Sequence, residues 1–360
     1  LAVPTAAARL ALGARTPVAG ARLAPWLAGG VTALVGAVVV GVLTGPAGLP
    51  MAASLVEILD RLAPFAGLDS GLTTAQATIL WEIRVPRVVL GATVGWLLGG
   101  AGATYQGVFR NPLADPFTLG AAAGAGLGAT LAFVYGPTTT SWPIDPLPLA
   151  AFAGAIGAVA VAYLLGTSVE QGRSAATIVL AGVAVAAFFT AVQTYVQQQN
   201  TDTVQRVYAW LLGRMSTATW DDVRLVAPYL VVCSIGLLLV RRMLDVLRVG
   251  ELEAAALGLD VGRARLGAVA LATLATAAAV SVTGLIGFVG IIVPHTVRLL
   301  CGASYRRVLP LSMLLGGAFL VLADVVARTL ASPAEIPIGV VTAFFGAPFF
   351  LLVLRSRRRA

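Results

Sequence analysis

The side chains able to do chemistry in this chain are few and far apart. His295 is the only histidine, and it follows Pro294 in the run Gly284-Leu-Ile-Gly287-Phe-Val-Gly290-Ile-Ile-Val-Pro294. A lone imidazole in an apolar segment could relay protons or ligate a haem iron, although a hydrogen-bonded packing role is its more ordinary use. Asp324 lies in another apolar run, four residues before Arg328, which is the spacing of an i,i+4 pair on one helix face. Cys233 and Cys301 sit within or at the end of apolar runs, which suits packed thiols rather than a disulfide. No nucleophile–base pair or metal-ligand cluster is evident. Lysine is absent, so all 24 basic residues are arginine. A phosphate-binding P-loop needs its lysine, and any ATP that drives this protein must therefore be hydrolysed by another subunit.

The elements that carry these residues are apolar throughout. Of the 360 residues, 58% are hydrophobic and 11% charged, where a soluble domain carries roughly 25% charged residues. Continuous apolar runs near the length of a bilayer span, broken by Gly, Pro or Arg, predict an all-α polytopic membrane protein rather than a β-barrel. Ten spans are expected, near 27–46, 88–108, 115–135, 148–166, 175–196, 224–240, 264–283, 286–302, 309–329 and 338–354. The chain reads as a single transmembrane domain over 1–360, with a cytoplasmic N-terminal segment 1–26. With both termini cytoplasmic, the outer segments hold seven arginines, Arg61, Arg84, Arg87, Arg206, Arg214, Arg224 and Arg328, leaving the other 17 inside. That asymmetry follows the positive-inside rule. The net charge of +8 is scattered over short loops and reads as membrane orientation, with no nucleic-acid partner expected.

Trp81 to Gly128 is the most patterned stretch. Arg84-Val-Pro-Arg87 stands at the mouth of an apolar run in which Gly91, Gly95, Gly99, Ala103 and Gly107 recur every fourth residue. The polar break Arg110-Asn-Pro-Leu-Ala-Asp-Pro116 follows, and Gly120, Gly124 and Gly128 resume the spacing. Small residues on one helix face let another backbone approach closely in lipid. Outside the spans, Ala52 to Phe65 is amphipathic and is expected on the membrane surface, while Tyr208, Trp210 and Trp220 read as headgroup-level aromatics. The largest cytoplasmic loop, 241–265, contains Glu251-Leu-Glu-Ala-Ala-Ala-Leu-Gly258, a short helix stopped by glycine, after which Asp260 can cap a second helix. This reads either as a docking knob or as a solvated connector.

Taken together, these blocks resemble the FecCD family of ABC importer permeases. The matching segments are Ile83–Arg87, Gln106–Gly120, Leu180–Val183, Ala256–Gly258, Gly284–Leu299, Leu322–Arg328, Glu335–Gly339 and Phe345–Pro348. The resemblance implies a type II importer permease of ten helices, a homodimer with the path on its two-fold axis, two ATPase subunits that bind ATP and Mg, and an extracytoplasmic solute-binding protein. It places the protein in the inner (cytoplasmic) membrane and implies no cofactor in this chain. By the same resemblance, Arg84, Arg87 and Arg328 meet acidic residues of the binding protein. Glu251, Ala254, Ala255, Leu257, Gly258 and Asp260 belong to the loop that docks on the ATPase. Asn111 and Leu113 help close the cytoplasmic end together with the loop before Thr177, where this sequence has Ala175 and Ala176 at positions that can carry hydroxyls. The implied function is import of an iron chelate, haem or a corrinoid such as vitamin B12. An ion-coupled secondary transporter using Asp324 and His295 is the alternative.

Overall fold

Every regular element of the computed structural model, which describes residues 23–62, 69–137, 145–168 and 175–357, is helical. Arg9, Arg15, Arg22, Phe65, Arg173, Arg358 and Arg359 fall outside those segments, as does the side chain of Ala175. All ten expected spans are helices. They are α1 (Leu23–Leu43), α3 (Thr74–Val108), α4 (Ala121–Tyr135), α5 (Pro146–Ser168), α6 (Ala175–Gln199), α8 (Trp220–Leu247), α10 (Val261–Thr283), α11 (Val289–Cys301), α12 (Tyr305–Thr329) and α13 (Ile338–Arg357). Seven are long and apolar enough to cross a bilayer unaided, and α4, α11 and the apolar part of α13 are shorter. Among the described residues, three small α-helices lie between the spans: α2 (Met51–Leu62), α7 (Val204–Leu211) and α9 (Glu251–Ala256). The expected amphipathic segment is thus the helix α2, and the short helix expected in the largest loop, read above as a docking knob or a connector, is α9.

Small residues decide which helices sit at the centre. In α3, α12 and α10, 83%, 72% and 67% of the most apolar window is buried, against 17–33% for α1, α5, α6 and α8. A Cβ at Gly95 would collide with the carbonyl oxygen of Gly316, and one at Gly99 with that of Ser312, so α3 and α12 touch backbone to backbone. Gly124 meets the Gly154 carbonyl in the same way and joins α4 to α5. Gly91 faces the flexible side chain of Met215 instead, and Gly120 serves as the left-handed N-cap of α4, with φ 89°. Contacts this close return dispersion energy that branched side chains would forfeit.

Two expectations need correction. The second span begins well before residue 88. The side chains of Thr73 and Gln76 form a capping box that starts a helix running to Val108 through a π-helical turn at Ile79–Arg84. Pro86 has no N–H to donate, and the Trp81 carbonyl accepts a hydrogen bond from the Trp220 indole at 2.9 Å. Trp210 is not a headgroup-level aromatic: it is buried in the core, whereas Tyr208 is exposed. Both cysteines are buried and free, as their apolar settings predict.

Candidate functional site

At the outer end, α1 stops at Leu43 and leaves its last carbonyls without helical partners, which favours cations there. Arg84 donates to the carbonyls of Val42 and Leu43 at 3.3 and 3.4 Å and also to that of Ala47. Arg328 donates to the Gly41 carbonyl at 2.6 Å. This local need accounts for positive charge on the face where it is otherwise rare.

Arg87 stands one turn further along α3 and faces α12. Its Nε and Nη2 donate to Asp324 Oδ1 at 3.0 and 2.8 Å, and Nε reaches Oδ2 at 3.1 Å. On its other edge, Nη1 and Nη2 donate to Glu335 Oε1 and Oε2 at 2.8 and 3.0 Å. Arg328 Nε lies 3.4 Å from Asp324 Oδ2, so the i,i+4 pair expected from sequence is present and Arg87 joins it. Arg84, Arg87 and Arg328 are 4%, 6% and 2% exposed. In the isolated chain they are internal tie points. Arg87 keeps some access. Arg87, Asp324 and Glu335 border a cavity of about 500 Å³ on the outer face, shared with Tyr208, Arg214 and Ile338.

At the cytoplasmic end, the break after α3 is a built turn. Arg110 adopts a left-handed backbone, φ 49°, rare for a residue with a Cβ. Asn111 Oδ1 accepts from the Leu113 N–H at 3.0 Å, and Asp115 Oδ1 accepts from the Phe117 N–H at 2.9 Å, starting the short 3₁₀ turn Pro116–Leu119. Burial pushes the Asp115 carboxyl up to about 6, against the lowering effect of that backbone hydrogen bond. The 3₁₀ turn packs on α6 where Gly182 lies against Thr118 and Leu119. Asn111 and Ala176 are both exposed, and Leu113 is half-buried.

The knob α9 is tied to this turn by one carboxylate. Glu251 Oε1 accepts from Arg265 Nη2 of α10 at 2.5 Å and lies 3.7 Å from Arg110 Nη2. Ala255, Leu257, Gly258 and Asp260 are exposed, with Gly258 left-handed at φ 86° and Asp260 capping α10 through the Arg263 N–H at 3.0 Å. Ala254 is fully buried and anchors α9 from below. The sequence reading passed over the most exposed apolar side chain here. Leu252 is 84% exposed and Leu257 73%, and an acidic helix bearing solvent-facing leucines was the available signal. Gln106 was also missed as a tie: it donates to the Gly290 carbonyl at 2.9 Å and accepts from Arg298.

The remaining candidates lie on α11 and α12. His295 is half-buried, with its ring edge-on to Phe349 at 5.7 Å between centroids. Asp324 is held between two guanidinium groups. Among the described residues no cluster of three or more His, Cys, Asp or Glu could hold a metal ion.

Comparison with known proteins shows the family. The FecCD transport family matches residues 33–356. The chain is 42% identical over 297 residues to the cobalamin import system permease protein BtuC of Halobacterium salinarum, covering 82% of this chain and 78% of that protein. It is 39% identical over 293 residues to the hemin transport system permease protein HmuU of Yersinia pestis, covering 78% and 84%. A solved metal-chelate type ABC transporter in an inward-facing conformation superposes with a TM-score of 0.76 and 28% identity, covering 92% of this chain and 98% of that one.

Proposed function

The chain belongs to the FecCD transport family, and from that premise we propose that it forms the paired membrane subunits of a binding-protein-dependent ABC importer for a bulky metal chelate. Corrinoid, haem and ferric chelates are the cargo classes to test, because similar permeases are named for cobalamin, hemin and Fe(3+) dicitrate. The observation that carries the reading is the match across nearly the whole length of the chain, joined to a cytoplasmic knob with exposed leucines and no lysine for a phosphate loop.

In this mechanism the chain does no covalent chemistry. A separate ATPase binds ATP and Mg and moves α9 through the apolar surface of Leu252 and Leu257. Glu251 passes that displacement to Arg110 and the Asn111–Leu113 turn, and to α10 through Arg265. The turn closes or opens the cytoplasmic end of the path. A second copy covers exposed apolar faces of α6 and α13, which include Phe188, Tyr195 and Phe344. A binding protein docks outside over the cavity bordered by Arg87. The secondary-transporter alternative loses its principal residue, since ionic partners already hold Asp324.

Cargo is tested by purifying the complex with its binding protein, identifying the bound small molecule, and measuring whether that molecule stimulates ATP hydrolysis. A corrinoid, haem or ferric chelate is expected. A sugar, peptide or free ion would contradict the cargo class.

A further inference from the structure

Two carboxylates share one guanidinium at the outer end, and their surroundings differ. The Asp324 side chain is 2% exposed, is also approached by Arg328, and occupies the Nε–Nη2 edge of Arg87. The Glu335 side chain is 31% exposed, stands at the rim of the 500 Å³ cavity, and occupies the Nη1–Nη2 edge. A guanidinium offers a carboxylate two such forks, and both are filled. A third carboxylate can therefore reach Arg87 only by displacing one of the two.

We propose that Glu335 holds the place of an acidic side chain of the docking protein, and that docking exchanges one carboxylate for the other on Arg87. This rests on the docking reading above. Asp324 cannot be the one that leaves, because its departure would strand Arg87 and Arg328 in a buried site. Glu335 belongs to a loop and meets water as it leaves, so its pair is the weakly held one. Arg214 is exposed on the wall of the same cavity, with its backbone fixed to the Thr283 carbonyl at 2.8 Å, and it can neutralise Glu335 after the exchange.

The exchange would also be felt inside the membrane. Glu335 lies three residues before α13 begins, next to Ile336, whose N–H bonds the Ala327 carbonyl at 2.9 Å. Gly339, in the first turn of α13, donates to the Leu212 carbonyl at 3.0 Å. Releasing Glu335 loosens the point where α13 hangs between α12 and the loop that follows α7. Glu335 thus sets both the threshold for docking and the link from docking to α13.

The test is the affinity of the cognate binding protein for the permease–ATPase complex in lipid nanodiscs, over a series of salt concentrations. Glu335→Gln is expected to tighten association about three- to fivefold, the equivalent of one half-exposed ion pair no longer competing. Glu335→Asp, which keeps the charge but withdraws the carboxylate by one methylene, should tighten it less and covers the case in which the Gln variant assembles poorly. Arg87→Gln should weaken association and flatten its salt dependence. Unchanged or weaker binding by both Glu335 variants, with Arg87→Gln still impaired, would overturn the exchange while leaving docking at Arg87 intact. Normal binding by Arg87→Gln would overturn docking there and the exchange with it.

Discussion

At the scale of single residues, most of the charge inside this protein is spoken for, and the partners set what each substitution does. Asp324 is the keystone of the outer cluster because it neutralises two buried guanidinium groups. Asp324→Leu should cost about 3–5 kcal/mol, the usual penalty for breaking a buried pair from one side, read as a lower unfolding midpoint in detergent titrations. A loss within error of zero would show that the cluster is solvated. Asp115 behaves oppositely. Its folded carboxyl titrates near 6, above the unfolded value of about 4, so the native state binds the proton more tightly. Stability therefore falls as pH rises from about 4 to 6 and is flat above. Asp115→Asn keeps the acceptor for the Phe117 N–H, should abolish that slope, and should stabilise the neutral-pH protein by on the order of 1–3 kcal/mol. An unchanged slope would place the titration elsewhere. Of these residues, the Asp324–Arg328 pair was legible from spacing alone. The burial of Arg84 and Arg87 was not, because it depends on where α1 ends and where Glu335 returns, and neither is local to the arginines.

At the scale of elements, backbone contact is the organising force, and it separates one glycine from another. A Cβ at Gly95 would strike the Gly316 carbonyl, whereas a Cβ at Gly36 meets nothing within 4 Å. Gly95→Val should prevent stable insertion or assembly, while Gly36→Ala should be neutral within about 0.5 kcal/mol. Equal tolerance at both positions, assayed by folded yield and unfolding midpoint, would refute backbone packing between α3 and α12. The every-fourth spacing in the sequence found this stripe but could not rank its members, since the tightest contact at Gly91 is the flexible tip of Met215 rather than backbone. The knob shows the same limit. Glycine at 258 and aspartate at 260 located a helix–turn–helix, yet Ala254 turned inward and Leu252 outward, which only the rotation of a six-residue helix decides. Leu257→Asp should weaken ATPase co-purification, because it charges the exposed apolar tip. Glu251→Gln should retain the ATPase and lose uptake, because the link to Arg110 and Arg265 fails. If Glu251→Gln transports normally, the knob does not signal through this carboxylate.

At the scale of the whole molecule, the spans followed from hydropathy because seven are long apolar helices and three are shorter apolar ones, and lipid allows such runs little other than a helix. What the runs could not show is the order of burial, with α3, α12 and α10 at the centre and α6 and α8 outside, since that depends on small residues meeting across the bundle. The functional reading has the same structure: a centre held by close packing, an ion-paired outer cluster, and a cytoplasmic knob joined to a gate turn. Its central claim is that energy enters through a separate ATPase rather than through an ion carried by Asp324 or His295. The direct measurement is uptake of the identified chelate into proteoliposomes holding this chain, its ATPase and its binding protein. The account predicts uptake that requires ATP and the binding protein and is indifferent to a collapsed proton gradient. Uptake driven by a proton gradient in vesicles lacking the ATPase would contradict it.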